Sequence, residues 1–175
     1  MFAVGCNPST RHFAFAVFEN KHFIYHTKIE TTYDNAKKFF DGFANQDFIF
    51  AVEDQFLNLN VLTLIKLVEV RAMLTTLANV YSAKKILVIP PQQWQMKYLR
   101  IGSHSSRKQR KTMSCLVESS IAGEKISDID IADAVCIGDY AVRLQSDYGL
   151  AYQDSNKEIK KFNSKKHCAI KNNDS

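Results

Sequence analysis

Long apolar runs are missing from this chain. Its 175 residues hold nothing near the ~18 consecutive apolar residues that a membrane-spanning helix needs. The first residues show neither the basic region nor the cleavage site of a leader peptide, so the expected location is the cytoplasm, with no membrane partner. Cysteines are few and scattered: Cys6, Cys115, Cys136 and Cys168 form no Cys-x-x-Cys and have no His at zinc spacing. His22 and His26, four apart, suit a shared metal only on a helix, and they lie in a strand-like run. A zinc site is therefore unsupported, and reduced thiols are expected. No internal repeat is present. With an apolar share of 46% and twelve Phe, a single domain of this size buries a core without disulfide staples.

Charge is present in excess of one sign. The formal net charge is +5, and its distribution says more than its total. Arg100, Arg107, Lys108, Arg110 and Lys111 crowd one segment, while Lys157, Lys160, Lys161, Lys165, Lys166 and Lys171 dominate the C-terminal part. Clustered cations of this kind neutralise backbone phosphates and release counterions. The expected organisation is a folded domain over 1–150 and a basic, polar tail over 151–175.

Three runs rich in aromatic and β-branched residues open the chain, at 2–6, 12–18 and 22–29. The last two are separated by Glu19-Asn20-Lys21, which reads as a hairpin. Ala36, Phe39, Phe40 and Phe43 have helical spacing over 34–43. A strand over 48–52 then ends in Glu53. Residues 61–81 form a long helix in which Leu62, Ile65, Val68, Met73 and Leu77 line one side. Val61, Leu64, Leu67, Val70, Leu74 and Val80 are apolar as well, far beyond the ~100° stripe of a surface helix, so a second face is expected in a core or at a dimer seam. A strand over 86–89 stops at Pro90-Pro91, a helical turn follows over 92–99, and helices are expected over 107–120 and 128–144. This order fits an α/β, RNase H-like mixed five-stranded sheet with helices on both faces.

Four positions carry the chemistry. Asn7 follows the first strand, Glu53 ends the fourth, and Asp130 and Asp133 lie i, i+3 on one face of the last helix. Ligands at the carboxyl ends of strands converge on one pocket in sheets of this kind, and several hard oxygens are what two divalent ions need at a phosphodiester. Asp130 has a structural alternative as partner of Ser127 in a capping box, and Asp128 is a candidate N-cap.

The set resembles the RuvC-type Holliday junction resolvases, in a small, phage-like version, over about residues 2–145. Val4-Gly5-Cys6-Asn7-Pro8-Ser9-Thr10 is similar to the family's opening strand with Asp-Pro-Gly. Ala51-Val52-Glu53-Asp54-Gln55-Phe56 resembles its second motif. Leu67-Val68-Glu69-Val70-Arg71 and Asp130-Ile131-Ala132-Asp133-Ala134 resemble its long helix and closing motif. The resemblance implies a homodimer that binds four-way and branched DNA and nicks two strands symmetrically, with two Mg²⁺ or Mn²⁺ per site held by position 7, Glu53, Asp130 and Asp133. It also implies base stacking by Phe56 and phosphate contacts or catalysis from Arg107 or Lys108, with Lys97, Arg100, Arg110 and Lys111 on DNA. Two departures stand out. Ser9 replaces a glycine, and Asn7 replaces the first Asp, so this chain is expected to bind and to cleave poorly. The amide is either an inactivating exchange or the mark of a naturally non-cleaving member. A non-catalytic junction-binding protein and an RNase H-like nuclease for another nucleic acid are the competing readings.

Overall fold

The computed structural model describes residues 1–55, 60–99, 106–123 and 125–145. The chain divides into a compact unit, Met1–Val142, and a second, Arg143–Ser175, of which only 143–145, helical, are described. Phe56, Arg100, the loop expected before the basic helix and the tail over 151–175 lie outside the described residues.

The first unit runs β1 (Phe2–Pro8), β2 (His12–Glu19), β3 (His22–Glu30), α1 (Tyr33–Asp41), β4 (Phe48–Glu53), α2 (Val61–Val80), β5 (Lys85–Ile89), α3 (Pro91–Leu99) and α4 (Arg107–Ala122). A last helix, α5, begins at 129 and reaches the unit's end. The strands form one sheet in the order β3-β2-β1-β4-β5. β1, β2 and β3 are an antiparallel meander, whereas β4 and β5 run parallel to β1. The hairpin between β2 and β3 turns on Asn20 and Lys21, both at positive φ (48° and 76°). That is the backbone a two-residue turn needs if it is to follow the twist of its strands.

The near-continuous apolar runs of β1, β2 and β4 are explained by cover on both faces. On one face Val4, Cys6, Phe13, Phe15, Phe50 and Val52 pack with Ala36 and Phe40 of α1 and Leu74, Leu77 and Ala78 of α2. On the other, Ala3, Ala14, Ala16 and Phe18 pack with Ile131, Ala134, Val135 and Val142 of α5. The small residues on this second face let a helix lie close. At Gly5 the approach is closest of all: a Cβ there would sit 2.3 Å from the Ala134 carbonyl oxygen and 2.4 Å from the Gly138 nitrogen. A Cβ on Gly138 would in turn sit 2.5 Å from the buried Phe18 ring. Backbone meets backbone at this crossing, which fixes α5 over β1.

α2 corrects one expectation. Its sheet-facing side is Leu67, Leu74, Leu77 and Ala78, with Val70 and Met73 partly buried beside them. Ile65 and Val68, expected on the same side as Leu77, instead lie on the opposite face. The helix is apolar all round, so apolar spacing alone could not say which side meets the sheet. Val61, Leu62, Ile65 and Val68 are 39–70% exposed. No described helix is long and apolar enough to cross a membrane.

Candidate active site

β1 and β4 carry their polar ends to the same edge of the sheet. The parallel register pairs Cys6 with Val52, so Asn7 and Glu53 follow side by side. Alternation along each strand puts both on the face covered by α5. Asn7 reaches the first turn of that helix, where its Nδ2 donates to the Asp130 carbonyl oxygen at 3.5 Å, the long limit of a hydrogen bond.

Glu53 is the electrostatic centre. Burial pushes its carboxyl up from 4.5 to about 8, the negative charge of Asp133 adds to the rise, and the hydrogen bond from Trp94 opposes it. Trp94 Nε1 donates to Glu53 Oε1 at 3.0 Å; the indole is fully buried on α3. The next residue, Asp54, is anchored twice. Its N–H donates to the Ile89 carbonyl at 2.8 Å, and its carboxylate pairs with Arg71 of α2. The Leu-x-x-x-Arg segment thus secures the chain directly behind Glu53.

Asp133 lies close enough to Glu53 to raise it, and one turn further along α5 it also raises the thiol of Cys136, after burial and together with Glu118. Asp130 takes a different course. Its carboxylate meets the Lys28 ammonium of β3 at 2.7 Å, and Lys28 also holds both oxygens of Asp128, at 3.1 and 2.8 Å. These hydrogen bonds, Asp128 first, hold the lysine above its ordinary range. The helix start is capped by Asp128, whose Oδ1 accepts from the N–H groups of Asp130 and Ile131. Asp130 therefore does not serve as the reciprocal partner in a box with Ser127.

The structure thus brings Asn7, Glu53 and Asp133 to one place and engages the Asp130 carboxylate on Lys28. Among the described residues no group of three or more His, Cys, Asp or Glu side chains is placed to hold a metal ion. Two neighbouring carboxylates, beside an amide oxygen, are a donor set that fits one Mg²⁺ or Mn²⁺ retaining several waters. One further carboxylate oxygen that a second ion could use, Asp130 Oδ2, is taken by Lys28.

Arg107, Lys108, Arg110 and Lys111 fall in the first turns of α4, and Lys97 falls on α3. Ser106 and Gln109 form a reciprocal capping box at the start of α4. Cations at a helix N-terminus oppose the helix dipole, so this clustering is not explained by helix stability.

Sequence reading missed Lys28, Trp94, Glu118 and the Gly5–Gly138 crossing. Trp94, the only tryptophan of the chain, was visible as a bulky residue just after a strand. Nothing local tied it to Glu53, 41 residues earlier.

Two predictions arise here. Trp94→Phe keeps most of the ring volume and removes the donor, leaving a buried acceptor less satisfied. The expected loss is about 1–3 kcal/mol of stability, read as a lower denaturant midpoint with unchanged m-value; an unchanged midpoint contradicts the role. The second concerns pH. Glu53, faced by Asp133 of α5 and Trp94 of α3, binds its proton more tightly folded than unfolded. Its contribution is fully present below pH 4.5 and is lost as pH rises through about 8. The metal-free protein is expected to lose stability between about pH 5 and 8, and Glu53→Gln to flatten that slope in pH-dependent melts. An equal slope in both proteins contradicts it.

No protein-family model matches the sequence, and no curated protein matches it. Solved structures do. Thermus thermophilus RuvC superposes with a TM-score of 0.62 at 17% identity, over 79% of this chain and 92% of that one. The same protein in complex with a Holliday junction substrate gives 0.62 at 16% identity, over 79% and 91%. The yeast mitochondrial Holliday junction resolvase Ydc2 gives 0.58 at 15% identity, over 90% of this chain and 83% of that one. The chain has the RNase H-like fold of RuvC, with its mixed five-stranded sheet and helices.

Proposed function

We propose that this chain is a structure-selective, metal-dependent DNA endonuclease for Holliday junctions and other branched DNA, competent to bind and deficient in cleavage because of Asn7. The observation that carries the reading is the meeting of three distant segments at one sheet edge: the β1 end with Asn7, the β4 end with Glu53 and the start of α5 with Asp130 and Asp133. The fold is that of RuvC, and the neighbouring structures named for junction resolution support the substrate class.

In this reading Glu53, Asp133 and the Asn7 carbonyl oxygen hold a divalent ion, and Asp130 completes the set for a second. The bound ions supply an activated water and a counter-charge for the leaving 3′ oxygen. The chain's own residues do the rest. Trp94 orients the Glu53 carboxyl through its Nε1–H. Arg71, through Asp54, keeps the end of β4 from swinging. The cations at the head of α4, Lys108 and Arg107 foremost, neutralise the phosphates and stabilise charge on the reacting one. Lys97, Arg100, Arg110 and Lys111 extend that contact, and Phe56 stacks on an unpaired base.

Symmetric nicking of two strands needs two active sites related by a two-fold axis. Val61, Ile65, Val68 and Ala72 recur at helical spacing on the exposed side of α2 and supply the apolar seam of a homodimer. Val68→Glu is expected to convert dimer to monomer in light scattering after size exclusion; a parent that is already monomeric contradicts the seam.

A second reading has one observation in its favour. The Asn7 amide donates to the Asp130 carbonyl, a contact a carboxylate cannot make, and it suits a non-catalytic junction binder of the cytoplasm. Both readings predict junction binding, which is tested by gel shift in Ca²⁺ against excess duplex. Binding that survives the competitor supports them. Equal affinity for junction and duplex overturns both, and leaves an RNase H-like nuclease on another nucleic acid.

A further inference from the structure

Lys28 is the residue that the nuclease chemistry does not use and the geometry does not explain away. It sits on β3 opposite Ala14, a fully buried small residue that leaves space above the sheet. Its ammonium has three N–H donors and three acceptors at 2.7–3.1 Å: one oxygen of Asp130 and both of Asp128. Those contacts saturate it. Asp128 needs no help to be placed, since it is already tied to the α5 backbone as the cap. Asp130 is different. Its carboxylate has a lysine where the same side chain, in the proposed site, would meet a divalent ion.

A carboxylate oxygen in a short, charge-assisted contact with an ammonium is not available to a metal without loss of that contact. The opposing cation is covalently attached and so always at high effective concentration. Lys28, Asp128 and Asp130 are all partly exposed, at 25%, 39% and 45% of their side chains. The pair is therefore not locked by burial and can exchange. The charge of Asp133 acts on Glu53.

We infer that Lys28 is a positioning residue that holds Asp130 out of metal coordination, so that without DNA the pocket takes one divalent ion, at Glu53 and Asp133, and gains a second when Asp130 is released. This rests on the metal-dependent reading above and adds to it a built-in competitor for the second ion. A phosphate arriving in the pocket is one group able to draw the ammonium away from Asp130.

The test is a Mn²⁺ titration of the full chain without DNA. Electron paramagnetic resonance counts free Mn²⁺ and so gives the total bound. Quenching of Trp94, the only tryptophan, reports the arrival of an ion beside Glu53. For the parent, one ion is expected by both signals. Lys28→Gln and Lys28→Met are expected to bind two ions by resonance while the Trp94 quenching curve stays where it was, and Lys28→Arg, which keeps the pair, is expected to bind one. A folded Lys28→Gln or Lys28→Met protein that still binds one ion overturns the inference and leaves the metal site standing. If both unfold while Lys28→Arg folds, the lysine is a structural tie only, and the inference is wrong. Absence of Mn²⁺ binding and quenching in every protein overturns the metal reading itself, and this inference with it.

Discussion

Gly5→Ala is expected to destabilise the fold by about 3 kcal/mol or more, at the upper end of what overpacking does. The reason is what the new methyl group would meet. Its nearest neighbours are the Ala134 carbonyl oxygen, the Gly138 nitrogen and the Gly138 Cα, all within 2.6 Å. Every one is backbone, so no rotamer change relieves the clash, and α5 must lift from β1 as a body. For a domain of this size, 3 kcal/mol corresponds to a melting temperature lower by about 6–12 °C. The functional consequence follows from the same geometry. Asn7 lies two residues beyond Gly5 on β1, and Asp133 lies just over one turn before Gly138 on α5. Lifting the helix separates Asp133 from Glu53, so any protein that remains folded is expected to show a Glu53 carboxyl closer to its ordinary value. A melt within 2 °C of the parent contradicts the account of this crossing.

Asn7→Asp is the second change with a large expected effect, and it runs in the opposite direction. The exchange alters no volume but turns a donor into a carboxylate oxygen against the Asp130 carbonyl, so without metal the fold is expected to lose about 1–3 kcal/mol. For chemistry the difference is one full negative charge at the place where Asp133 already raises the Glu53 carboxyl. An amide offers a single neutral oxygen, whereas a carboxylate would offer a divalent ion two charged ones. Stabilising charge in a metal-assisted transition state is worth several kcal/mol, and each 1.4 kcal/mol is tenfold in rate. Nicking is therefore expected to rise by about 10²–10⁴. Affinity for the junction in Ca²⁺ is expected to stay level or fall slightly, because a negative charge returns near the phosphates.

The sheet was legible in the sequence because its strands are buried on both faces and so write themselves as unbroken apolar runs. β2 is the clear case, with six consecutive buried residues. The site's three segments were legible for a related reason. Each polar residue sits where an apolar run ends, and sheets with this connectivity bring such ends together. What failed to show was everything set by side-chain meetings across long separations. Lys28 is one of several lysines in the sequence, and its meeting with Asp128, 100 residues on, depends on how α5 lies over β3. Trp94 looked like an ordinary aromatic following Pro90-Pro91. Gly5 was noticed only as part of a motif, not as the point of closest approach. On α2 the difficulty was an excess of signal, since a helix apolar on every side gives no reason to prefer one face for the sheet. The ion pair of Asp130 was hidden for a simpler reason: i, i+3 spacing places two carboxylates on one face, but says nothing of the Lys28 ammonium on β3 that meets one of them.

The measurement that bears most directly on the central claim compares the parent and Asn7→Asp on a labelled four-way junction in Mg²⁺ and in Mn²⁺, under conditions where both bind it. The account predicts no more than trace nicking by the parent and paired, symmetric nicks in strands of like polarity from the Asn7→Asp protein, leaving ends that a ligase can seal. Tight binding by both proteins with no nicking by either would contradict it, and would make this chain a junction-binding protein rather than a disabled nuclease.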